Sequence, residues 1–171
     1  MPIVRDFRAY SYNASRIERC GRHIGSKVYW KLYAIENTFR IVIHSILSVQ
    51  LGANWWHTAI APNQIPRIGR RRAAYVARPN NASPGASDIH LLLLSELTEI
   101  LRDNSHLFVP VVPDTHNWIA TLESIRVPRN LVGHMNFPNA FDKAAIDSAY
   151  SQLSSLFGYL TAHNVPVLIP R

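Results

Sequence analysis

Arg129, Asn130 and His134 lie close together in the chain, and their side chains can act jointly on a phosphodiester. Histidine suits proton transfer because its unperturbed pKa lies near neutrality. Arginine suits phosphate because its charge is permanent and its planar fork binds two oxygens at once. Asparagine can orient a hydroxyl or an imidazole. Metal-independent cleavage of RNA needs a base for the 2′-hydroxyl proton, an acid for the 5′-leaving oxygen and a cation at the phosphate. The motif supplies the cation and one imidazole. A two-fold dimer, bringing two motifs to one phosphate, would supply the second proton-transfer group. On a helix, Asn130 and His134 are four apart and share a face. Arg129 is about 140° from His134 around the same axis. Its long side chain must bend around the helix, or Pro128 must distort the first turn. The plainer alternative is that an Arg and a His near a helix start simply cap, pair or pack.

The overall charge favours an anionic partner. Eighteen Lys and Arg oppose eleven Asp and Glu, giving a formal charge of +7 in which Arg dominates. Guanidinium groups match phosphate, so RNA or DNA is expected before membrane. Arg67, Arg70, Arg71 and Arg78 fall on one face at helical spacing. They form either an RNA-binding track or a solvated face. Trp55 and Trp56 can stack bases, but tryptophans after an amphipathic helix are more often core anchors. His57, His90, His106, His116 and His163 show no ligand spacing, so neither a metal nor another cofactor is expected. The single Cys20 excludes an internal disulfide framework. Apolar runs such as Leu91–Leu94 are far too short to span a membrane. The opening Met-Pro-Ile-Val-Arg-Asp lacks the apolar core of a secretory signal, and a cytoplasmic location is expected.

These residues need a helical frame. Val28, Leu32, Ile35, Phe39, Val42, Ile46 and Val49 alternate four- and three-residue steps, which predicts a long helix from Ser26, its cap, to Gln50, with Gly52 ending it. A shorter helix is predicted over Ser15–His23 and a basic one from Pro66 to Ala77. Arg78–Asp88 is a Pro- and Asn-rich loop. Ile89–Arg102 is helical with Leu93, Leu97, Ile100 and Leu101 as its apolar face, and Phe108–Val112 is extended or a loop. Asp114 or Thr115 opens a helix containing Trp118, Leu122 and Ile125. The last helix, Asn139–His163, repeats the seam at Ile146, Tyr150, Leu153, Phe157 and Leu160. The motif lies between these last two helices, with Pro128 suited to starting one. No sustained strand pattern and no repeat is present. The expected fold is all-α, one domain over residues 1–171, an up-and-down bundle of about five or six helices with an irregular middle.

The segment Ser124–Asn136 resembles the signature of the HEPN family, an Arg, a polar residue and a His after a short spacer, here Arg129, Asn130 and His134. Tyr29–Arg40 followed by Asn54-Trp55-Trp56 resembles the front half of such domains, in the same order along the chain. The resemblance covers roughly Val28–Leu160, with only a loose match in the middle. It implies a metal-independent endoribonuclease of toxin or antiviral-defence type, acting as a homodimer, with an antitoxin or a larger defence complex as a possible partner. It also implies that Glu36 and Arg40 lie beside the motif, where Glu36 can hold an Arg or His in place. The plainer reading of that i, i+4 pair is a surface ion pair. His44, one turn on, reads as packed or solvated. Asn136 stands where toxins inhibited by tyrosine modification carry Tyr, so the resemblance does not extend to that control. Two other readings are a non-catalytic HEPN-like module that binds RNA or nucleotides or only dimerises, and an ordinary helical interaction domain.

Overall fold

The computed structural model describes residues 4–78, 80, 82 and 84–170. Of the predicted Arg78–Asp88 loop, Pro79, Asn81 and Ser83 lie outside the described residues. The fold is an all-α bundle, with no strand among the described residues. Helix α1 (Ala14–Ile24) passes through a π-helical turn, Gly25–Tyr29, directly into α2 (Trp30–Leu51). Then come α3 (Trp55–Ala59), α4 (Ile65–Val76), α5 (Leu94–Asp103), α6 (Ser105–Phe108), α7 (Thr115–Gly133), α8 (Ala140–Ser151) and α9 (Leu153–Ala162).

Helix α2 is the hub, packed against α3, α5, α6, α8 and α9. Six members of its predicted seam, Val28 through Ile46, are buried, and Ile43 and Leu47 widen the stripe beyond a narrow seam. Val49, the seventh, is exposed because the 3.6-residue period has turned the buried face toward Leu47 and Leu51, which pack in and against the core. Trp118 of α7 packs edge-on against Phe39, with centroids 5.2 Å apart, and so locks the helix that carries the motif to the hub. One continuous apolar cluster runs from Val28 to Val165. Gly52 ends α2 at φ 74°, ψ −163°, a conformation nearly restricted to glycine, with its N–H on the Ser48 carbonyl.

Four boundaries differ from the sequence reading, each for a local reason. Ser26 does not cap α2, because the helix is continuous through the π turn and the Ser26 carbonyl accepts Trp30 Nε1 at 3.0 Å. The predicted Ile89–Arg102 helix is a 3₁₀ turn, Asp88–Leu91, then two extended residues, then α5. The Glu96 carboxylate reaches back to accept the Leu93 N–H at 2.8 Å, which starts the helix there and turns Leu93 outward. Leu97, Ile100 and Leu101 still form its buried face. The predicted last helix is split at Gln152: the Ser148 carbonyl is occupied by Ser151 Oγ at 2.8 Å and Gln152 Nε2 at 3.1 Å, side chains competing with the backbone ladder.

The fourth difference concerns the motif. It occupies the last turn of α7, with Pro128 buried inside the helix instead of starting one. Proline there deprives the Ser124 carbonyl of its helical donor but leaves the helix unbroken. The end is closed by Met135 N–H to Val132 O and Asn136 N–H to Leu131 O, at 2.9 and 3.0 Å. This paired closure places its central residue, Met135, at φ 59°, a position more often given to glycine.

Candidate functional site

The site is built around Glu36, a carboxylate buried on the face of α2 that looks toward α7. Its Oε1 accepts Arg129 Nε at 2.6 Å and its Oε2 accepts Arg40 Nη2 at 3.1 Å. The same Arg40 nitrogen donates to the Leu92 carbonyl at 2.9 Å, and Arg40 Nη1 donates to Asn37 Oδ1 at 3.2 Å. The extended step before α5 leaves the Leu92 carbonyl clear of helical bonding and so available to Arg40. Glu36 and Arg40 side chains are each 12% exposed and Arg129 is 30% exposed. The Glu36–Arg40 pair is therefore a buried junction joining α2, α7 and the extended step before α5, not a surface ion pair.

Arg129 is fixed by one nitrogen. Its Nε is taken by Glu36, while Nη1 and Nη2 have no hydrogen-bond partner among the described residues. Its side chain runs along α7 toward Gly133, where a Cβ would lie 3.5 Å from Nη1. The guanidinium thus borders a cleft of about 540 Å³ whose walls include Tyr29, Tyr33, Glu36, Arg40, His90 and Met135. The free edge of Arg129 has the donor geometry for a phosphate or carboxylate.

The other predicted site residues are placed differently. Asn130 is exposed and borders a separate hollow of about 140 Å³ with Leu93, Ser95, Arg126 and Arg129. His134 caps α7, is exposed, does not line the large cleft, and its ring has no partner among the described residues. Within one chain the structure joins Arg129, Glu36 and Arg40 and leaves Asn130 and His134 on the outer surface. The basic helix is also divided. Arg67 and Arg70 are exposed on α4, and Arg78 is exposed beyond its end. Arg71 is not part of an open track: its Nη2 donates to both Glu96 oxygens at 2.7 Å, tying α4 to α5. Arg72, not singled out by spacing, bonds Asp88 and the carbonyls of Gly85 and Ala86.

Trp55 is a core anchor, buried with its ring edge-on to His44 and Trp56. His44 is packed there, and burial, followed by the charge of His90, lowers its pKa. The cleft aromatics are instead Tyr29 and Tyr33. Their four-residue spacing across the start of α2 was available in the sequence, but the apolar seam beside them dominates that segment. Among the described residues, no group of three or more His, Cys, Asp and Glu could hold a metal ion, and no helix is long and apolar enough to cross a membrane. No protein-family model, curated protein or solved structure matches the chain.

Proposed function

We propose that the chain is a metal-independent endoribonuclease of HEPN type, working as a two-fold dimer in toxin or antiviral-defence systems of the cytoplasm. The observation that carries this reading is the Glu36–Arg129 contact. The two sequence blocks that resemble the family, far apart in the chain, meet at 2.6 Å and leave an arginine edge open to a cleft. In the proposed reaction His134 of one protomer takes the 2′-hydroxyl proton and O2′ attacks phosphorus. The P–O5′ bond breaks, and His134 of the partner protonates the leaving oxygen, so protons balance across the step. Arg129 stabilises the charge gathered on the phosphate oxygens. Asn130, on the same outward face as His134, orients the hydroxyl or the imidazole. The products are a 2′,3′-cyclic phosphate and a 5′-hydroxyl. Exposed Arg67, Arg70 and Arg78 would add phosphate contacts. Any antitoxin or larger defence complex would act by a route other than modification of a tyrosine two residues after the His, since Asn136 stands there.

The test is cleavage of total RNA by wild type, Arg129→Ala and His134→Ala in EDTA, with the product ends identified. Loss of cleavage in both variants, with a cyclic phosphate from the wild type, is the expected result. Full activity of both variants or strict metal dependence would refute the reading. One observation favours a second reading, a non-catalytic HEPN-like module that binds RNA or nucleotides or only dimerises: His134 and Arg129 do not face one cleft within a chain. Under that reading purified wild type binds RNA without cutting it.

A further inference from the structure

Tyr29 and Tyr33 are 56% and 65% exposed, although Tyr33 lies on α2, the hub of the bundle, and Tyr29 ends the π turn that leads into it. They are one helical turn apart, share a face, and both line the cleft that Arg129 borders. Neither ring stacks on another aromatic ring among the described residues, in contrast to Trp30, which meets Tyr150 edge-on, and Trp55. Core packing therefore does not account for either tyrosine. What the cleft offers at this point is two aromatic rings beside a guanidinium edge with unused donors.

That combination selects a ligand with flat apolar faces attached to an anion. Base stacking on aromatic rings needs no polar partner for the ring face, and the phosphate between bases needs one cation. Spacing narrows the choice further. Four residues of helix separate the two ring-bearing positions by about 6 Å, well over the roughly 3.4 Å step between bases in a strand of duplex. Bases locked in a duplex stack on one another and do not offer their faces to side chains, whereas unpaired bases do. The neighbouring hollow, about 420 Å³ and bounded by Phe7, Cys20, Ile24, Val132 and Phe137, is almost wholly apolar and would leave a base edge without hydrogen bonds. Tyr29 stands on the border between the two spaces, and the polar groups that can meet a base edge, Asn37 and His90 among them, lie on the cleft side.

We infer that Tyr29 and Tyr33 form a stacking platform for two unpaired bases flanking the phosphate that Arg129 holds. This rests on the RNA reading of the same cleft. The experiment measures binding of a short fluorescein-labelled oligouridylate, and of a duplex of equal length, to full-length protein carrying His134→Ala so that the probe is not consumed. Tyr29→Ala and Tyr33→Ala should each weaken single-strand binding by roughly 5- to 150-fold. Tyr29→Phe and Tyr33→Phe should bind like the parent, because the ring face and not the hydroxyl makes the contact. The salt dependence should be unchanged, since no charge is removed. Binding by the parent that survives both alanine changes overturns the platform alone. So does loss in the phenylalanine variants, or an equal loss on duplex. Failure of the parent to bind either probe overturns the RNA reading and the platform with it.

Discussion

Replacing Glu36 by Gln tests the junction directly. The carboxylate accepts from two guanidinium groups at 2.6 and 3.1 Å, and the amide can accept from only one while turning its own donors toward the other. Arg129, 30% exposed, can swing into water, whereas Arg40 at 12% cannot, so the stranded charge is Arg40. Removing one member of a buried pair typically costs about 3–5 kcal/mol. Because Gln preserves shape and one acceptor, about 3 kcal/mol is expected, a sizeable part of the 5–15 kcal/mol that holds a typical domain together. The melting temperature should fall by roughly 6–12 °C for a chain of this size. Urea unfolding should show a lower midpoint with an unchanged slope. A double-mutant cycle then tests the cause. Arg40→Met removes the stranded charge, so its cost and that of Glu36→Gln should combine to less than their sum by about 1–3 kcal/mol. A Glu36→Gln protein within about 0.5 kcal/mol of wild type, or strictly additive effects, would refute the reasoning.

Two further outcomes follow from the arginines and the histidines. Arg71→Ala should destabilise by about 1.5–3 kcal/mol through loss of its charged bonds to Glu96, whereas Arg67→Glu with Arg70→Glu should leave urea unfolding nearly unchanged and lower the salt slope of RNA binding by roughly one to two units. The reverse assignment would show that Arg71 faces the nucleic acid. Burial lowers the pKa of His23, reinforced by Lys143 and then Lys27, and burial followed by His90 lowers that of His44. Both histidines therefore resist protonation in the folded state, and their contribution to stability is full above the ordinary value of 6.5 and is lost as pH falls below it. Unfolding midpoints measured from pH 7.5 down to 5 should decline, and the decline should flatten in the His23→Gln/His44→Gln double variant; an unaltered slope in that variant would assign it to other groups.

The helical class and the hub were legible in the sequence because burial imposes a periodicity, and the seam from Val28 to Ile46 obeys it without interruption. What was not legible is where a side chain would overrule the ladder. The break before α5 depends on Glu96 turning back to the Leu93 N–H, and the split at Gln152 depends on two side chains taking the Ser148 carbonyl. Both are local competitions of about 1 kcal/mol, too small to leave a mark on a hydrophobic pattern. Pro128 misled in the opposite sense: proline usually marks a helix start, yet tertiary packing holds α7 through it. The site shows the same division. Residue types and spacing named Arg129, and the family resemblance added Glu36 and Arg40, but only the fold shows that Glu36 is shared by both arginines, and that Arg71 belongs to Glu96 instead of to an open basic face.

The position of Arg129 on α7 explains why His134 does not join it in the cleft. Five residues of helix turn the two side chains about 140° apart, and the Glu36 carboxylate draws Arg129 toward α2. His134 is left on another side of the same last turn, exposed and beside the left-handed Met135. A phosphate placed deep in the cleft meets Arg129 and Arg40 but not His134; the imidazole in that wall is His90, whose Nε2 is bonded to the Pro170 carbonyl at 3.1 Å. Arg129 reaches along α7 to Gly133, next to His134 at the C-cap, so a phosphate lying across the end of that helix is within the compass of both side chains. Arg129, Asn130 and His134 remain at least partly accessible to a second molecule there. The proposed chemistry would therefore set the two-fold axis near the C-terminal end of α7, where the partner's imidazole would supply the acid.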